Sequence, residues 1–73
     1  MKGVDMLNLP EGTQVKLVSL HEDDDRILAR IPLGTILTRE HVDFIDDKEM
    51  CSFAHPDLED GYDFFFADEL ELV

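Results

Sequence analysis

The chain has 73 residues, and its 18 Asp+Glu against 6 Lys+Arg leave a formal charge of −12. That is enough chain for one small domain, and its negative field repels phosphates and anionic lipid headgroups, which argues against direct nucleic-acid binding and against a membrane surface as partner. At 44% hydrophobic and 33% charged residues the chain has apolar material to fold with, so a disordered acidic tail is excluded.

Residues 1–9 carry Asp5 and Asn8 and lack both a secretory pattern and a small-residue cleavage site, so a soluble, unexported protein is expected, with residues 1–9 as an N-terminal extension of a single domain spanning residues 1–73. No apolar run approaches the roughly 18 residues of a membrane-spanning helix. The single cysteine, Cys51, excludes an intramolecular disulfide and a cysteine-based zinc site, in keeping with a reducing, cytoplasmic setting.

Pro10, Glu11 and Gly12 form a turn-prone opening, and residues 13–20 read as a strand with Val15, Leu17 and Ser19 on one face. His21, Glu22, Asp23, Asp24, Asp25 and Arg26 then make a polar stretch whose adjacent carboxylates favour an exposed loop. Residues 27–31 are apolar but run into Pro32, which cannot donate to a ladder, so a loop edge or short strand is expected.

Gly34 marks a tight turn, after which residues 35–45 alternate at Ile36, Thr38, Glu40, Val42 and Phe44. Strand is the favoured reading there. Leu37, His41 and Phe44 also suit a helical stripe, so residues 38–50 keep helix as the second reading. Asp46, Asp47, Lys48 and Glu49 form a hydrophilic turn before a strand at residues 50–54, with Cys51 and Phe53 on one face.

His55, Pro56 and Asp57 open a loop that runs through Gly61 into the most aromatic strand, residues 62–66. Residues 67–70 read as one helical or 3₁₀ turn before a final short strand at residues 71–73. Short strands with frequent turn signals and no long helical stripe point to an all-β barrel or small sandwich.

Three stretches resemble a small SH3-like barrel. Gly12 to Leu20 reads as its first strand entering an acidic loop, Pro32-Leu33-Gly34-Thr35-Ile36 resembles the Gly-Thr start of its second long strand, and Phe66 to Val73 is similar to its closing 3₁₀ turn and last strand. The resemblance implies a five-stranded barrel of the kind found in phage and bacterial accessory proteins, many of them of unknown role. It does not extend to proline-rich peptide binding: Trp is absent, and Glu69 stands where the peptide-binding version places a Tyr. Fold alone does not supply function.

The expected role is that of a non-catalytic, acidic protein-protein interaction module. Tyr62, Phe65, Asp57, Asp60 and Asp63 are the expected partner-binding residues, the partner being another protein with a basic surface. A second reading is DNA mimicry, in which Glu22, Asp23, Asp24, Asp25, Asp46, Asp47 and Glu59, with the three loop aspartates, stand in for phosphates. The plainer account of the same carboxylates is that they keep a small domain soluble.

Calcium fits poorly. With Gly61 as the loop glycine of an EF-hand, the first and last ligand positions fall on Pro56 and Ala67. Cys51 and His55 lack an orienting third group, and Cys51 reads more simply as a small core residue, so neither catalytic residues nor cofactors are assigned. His21 and His41 are expected on polar surface. On a strand, Phe64 and Phe66 point one way and Phe65 the other, so one of the two faces must be covered, by a partner or by the chain's own ends.

Overall fold

Two turns of the same sequence, Pro-x-Gly-Thr, launch the first two strands. In a computed structural model that describes residues 1–21, 29–41 and 49–73, Thr13 N–H donates to Pro10 O at 3.1 Å and Thr35 N–H to Pro32 O at the same distance. Each threonine hydroxyl donates to that same proline carbonyl. Gly12 and Gly34 sit at the third position with φ of 92° and 95°, the left-handed region that glycine enters without a Cβ penalty. Gly34 N–H also donates to Leu17 O at 2.7 Å, so this turn locks the start of the second strand onto the end of the first. A Cβ at Gly34 meets nothing within 4 Å. Gly34→Ala is therefore expected to lose about 1 kcal/mol through backbone strain alone, measured as a small drop in urea midpoint with an unchanged slope.

The strands are β1 (Gln14–Leu17), β2 (Ile36–Arg39), β3 (Met50–Ala54), β4 (Tyr62–Phe66) and β5 (Leu70–Leu72), with a 3₁₀ turn at Ala67–Glu69. They form one antiparallel sheet in the order β4-β3-β2-β1-β5, so β1 to β4 meander and β5 returns to pair with β1. The domain is all-β, as the sequence pattern predicts. The expected strands at residues 50–54 and 62–66 form over those residues. The first strand ends at Leu17, short of the expected residue 20, because Val18 and Ser19 donate to Glu69 O instead of continuing a ladder.

Residues 22–28 and 42–48, including most of the segment read as strand or helix, lie outside the described residues. Of that segment's described residues, Thr38 and Arg39 end the strand Ile36–Arg39 and Met50 begins the strand Met50–Ala54, while Glu40, His41 and Glu49 are in neither. Residues 29–35 hold no strand, although Ile31 is fully buried.

The core is built by alternation. Val15 and Leu17 of β1, Leu37 of β2, Cys51 and Phe53 of β3, Phe65 of β4 and Leu70 of β5 are each buried, with Ile31, Leu58 and Ala67 supplied by the connections. Phe53 and Phe65 meet edge to face at 6.3 Å between ring centroids.

The N-terminal residues are more than an extension. Gly3–Leu7 forms a short helix, α1, whose Met6 is completely buried while Met1, Leu7 and Leu9 pack against the core. A helix of 5 residues has no stability of its own in water, so burial of Met6 holds it in place. The hydrophobic spacing of residues 1–9 is too short to announce it. The amino group of Met1 donates to Ala67 O and Leu70 O, both at 3.1 Å, which covers part of the outer edge of β5. Met6→Ala is expected to lose about 2 kcal/mol and to release α1, seen as faster amide exchange over residues 3–9.

No helix among the described residues is long and apolar enough to cross a membrane.

Candidate interaction face

Antiparallel pairing sets which β4 side chains share a face. Phe65 lies opposite Cys51 and points into the core, whereas Tyr62, Phe64 and Phe66 lie opposite Ala54, Ser52 and Met50 on the outer face. Phe65 was expected at a partner surface and is 1% exposed. That expectation is corrected by the pleat: β4 has one inward ring per repeat, and Phe65 is that ring.

The outer three rings are half-buried and run along the strand for about 13 Å. Tyr62 and Phe64 meet edge to face at 6.0 Å, with the rings at 85°. Phe66 is covered by the His21 imidazole, stacked at 4.4 Å and 8°. His21 Nε2 in turn contacts Asp68 Oδ1. Among the described residues the strip thus has the half-buried Tyr62 and Phe64 at its open end and is closed at Phe66.

At the open end stands the β3–β4 hairpin loop. His55 N–H donates to Gly61 O at 3.0 Å, Leu58 N–H to His55 O at 3.1 Å and Gly61 N–H to Leu58 O at 3.0 Å. Leu58 is turned inward and buried, which leaves Asp57, Glu59 and Asp60 exposed around it. Asp57 N–H donates to His55 Nδ1 at 3.1 Å. Glu59 pairs with Arg30 at 3.7 Å, both side chains well exposed, a contact worth little in water. Asp63 is half-buried, and its Oδ1 accepts the Phe64 N–H at 2.7 Å.

The structure thus brings Tyr62, Asp57, Asp60 and Asp63 to one end of β4 and removes Phe65 to the core. Of the phosphate-mimic set, Glu59 is on this hairpin. Glu22, Asp23, Asp24, Asp25, Asp46 and Asp47 lie outside the described residues. Cys51, on β3 opposite Phe65, is fully buried in the core. Among the described residues no cluster of three or more His, Cys, Asp or Glu side chains is placed to hold a metal ion.

Two polar features escape a reading of the sequence. Arg39 is 1% exposed; its guanidinium lies over the Phe53 ring at 5.5 Å, and Nη1 donates to Ser52 O at 2.9 Å and to Ser52 Oγ at 3.3 Å. Strand alternation with Leu37 was the available signal, since it places Arg39 on the inward side of β2. The other is Glu69, a buried carboxylate. Its Oε1 accepts Phe66 N–H at 2.6 Å and its Oε2 accepts His21 N–H at 2.9 Å.

Comparison with protein-family models, with curated proteins and with solved structures finds no match to this chain.

Proposed function

We propose that this chain is a non-catalytic acidic interaction module, a small SH3-like barrel of the phage or bacterial accessory type, that binds a basic surface on another protein. Support for the barrel comes from the strand order, a meander whose last strand returns beside the first after a 3₁₀ turn. The observation that carries the binding reading is the open Tyr62/Phe64 edge-to-face pair next to exposed Asp57 and Asp60. A partner arginine or lysine would find aromatic faces and carboxylates within one side chain's reach, so that its charge is met as its stem is desolvated. Aromatic anchors of this kind dominate binding energy, while peripheral carboxylates raise the association rate and set its salt dependence.

The test is capture of partners by the tagged protein from bacterial lysate, with elution in rising salt and competition by duplex DNA. Tyr62→Ser and the triple variant Asp57→Asn, Asp60→Asn, Asp63→Asn run beside the wild type. Binding through the proposed face predicts a basic partner lost with Tyr62→Ser, weakened by the triple variant, and partly retained at 0.5 M salt, where charge-only contacts are screened within about 4 Å. A captured protein that duplex DNA displaces and that ignores Tyr62→Ser would overturn the reading in favour of phosphate mimicry.

A further inference from the structure

Among the described residues β4 lies at one edge of the sheet, and a strand edge invites pairing with another chain. Its hydrogen-bond phase follows from the hairpin. His55 N–H bonds Gly61 O, so the pairs Phe53/Asp63 and Cys51/Phe65 continue that pattern inward, and the N–H groups of Tyr62, Phe64 and Phe66 point away from β3. Two of these three outward donors are held by side chains. Phe64 N–H is held by the Asp63 carboxylate at 2.7 Å, and Phe66 N–H by the Glu69 carboxylate at 2.6 Å.

We infer that Asp63 guards this edge: its carboxylate occupies the amide about which β4 of a second copy of this chain would pair. Two β4 strands meeting antiparallel about their midpoint place Phe64 opposite Phe64, and those two residues must then exchange N–H···O=C bonds. In such a pair the outer rings of Tyr62, Phe64 and Phe66 would stack across strands as an aromatic ladder, which is a strong drive toward association. Asp63 opposes it by taking the central donor of each chain. Glu69 closes the far end of the same edge, but it is built into the 3₁₀ turn and cannot be removed without loosening the fold. Asp63 is half-buried and free to be changed. The inference shares Asp63 and the outer rings with the binding reading above but does not rest on it, because its readout is self-association of the purified protein rather than capture of a basic partner.

The experiment is sedimentation velocity on wild type, Asp63→Ala, Asp63→Val and Asp63→Asn from micromolar to near-millimolar concentration, with amide exchange at Phe64 followed in parallel. Valine favours strand and carries no acceptor, so it serves should the alanine variant fold poorly. Asparagine keeps the acceptor oxygen and removes the charge. Wild type and Asp63→Asn are expected to sediment as monomers of 8.4 kDa. The alanine or valine variant is expected to dimerise at least about tenfold more tightly, with Phe64 N–H becoming protected as concentration rises. Folded alanine and valine variants that stay monomeric overturn the inference, as does self-association of wild type through β4. So does Asp63→Asn associating as readily as Asp63→Ala, since charge rather than the occupied amide would then be the guard.

Discussion

Glu69→Ala is expected to lose about 3 kcal/mol of folding free energy, from two hydrogen bonds to a buried carboxylate at about 1.5 kcal/mol each. Domains of this size hold only a few kcal/mol in reserve, so the variant should be largely unfolded at 37 °C. The size of the effect follows from what Glu69 joins. Its Oε1 closes the N-terminus of the 3₁₀ turn through Phe66 N–H, the role that the third residue plays in a capping box, while Phe66 itself has no side-chain acceptor to return the bond. Its Oε2 reaches His21 N–H, and its backbone carbonyl accepts Val18 N–H at 2.8 Å. One residue thus fastens the chain leaving β1 to the turn between β4 and β5, and sets His21 where its ring covers Phe66. Glu69→Gln keeps one acceptor oxygen and turns a donor toward the other amide, so it should lose roughly half as much. The check is urea unfolding of the three proteins, with amide exchange at Phe66 and His21 rising together in both variants. A loss below about 1 kcal/mol for Glu69→Ala would mean that water replaces the carboxylate at both amides.

What the residue order discloses about this fold, and what it hides, can be read from the same few positions. Alternation and turn residues are local signals, so Met50–Ala54 and Tyr62–Phe66 emerge as strands with Cys51 and Phe53 on the inward face. The 3₁₀ turn is legible for the same reason, being a short polar break between two apolar runs. The role of Glu69 is not local. Its partner His21 is 48 residues away, and nothing near Glu69 distinguishes it from the exposed Asp68 beside it. Helix α1 is hidden too, because a segment so short forms only when Met6 finds the core.

The candidate face was half legible. Asp57, Asp60, Asp63 and Tyr62 are close in sequence and remain close in the fold. Which of the two faces of β4 is open depends on the direction from which the other strands and α1 cover the sheet, and alternation alone is symmetric between the two choices. That symmetry is why Phe65 could be assigned to a surface when it belongs to the core.

Two neighbouring substitutions put that assignment to the test. Phe65→Ala is expected to lose about 4 kcal/mol, since a fully buried ring packed edge to face on Phe53 leaves a cavity that the strands cannot close. Phe64→Ala, one residue earlier on the opposite face, is expected to lose about 1 kcal/mol, the worth of its contact with Tyr62 and partial burial. Urea unfolding and near-ultraviolet circular dichroism separate the outcomes: the first variant should show no cooperative transition at room temperature, the second a normal one at a lower midpoint. Comparable losses from both would mean that the outer face of β4 is covered as firmly as the inner. The contrast also decides how binding is to be probed. Only if Phe64 can be removed from a folded domain is the outer strip spare surface, held by the Phe65 side of the same strand and open to be spent on a partner.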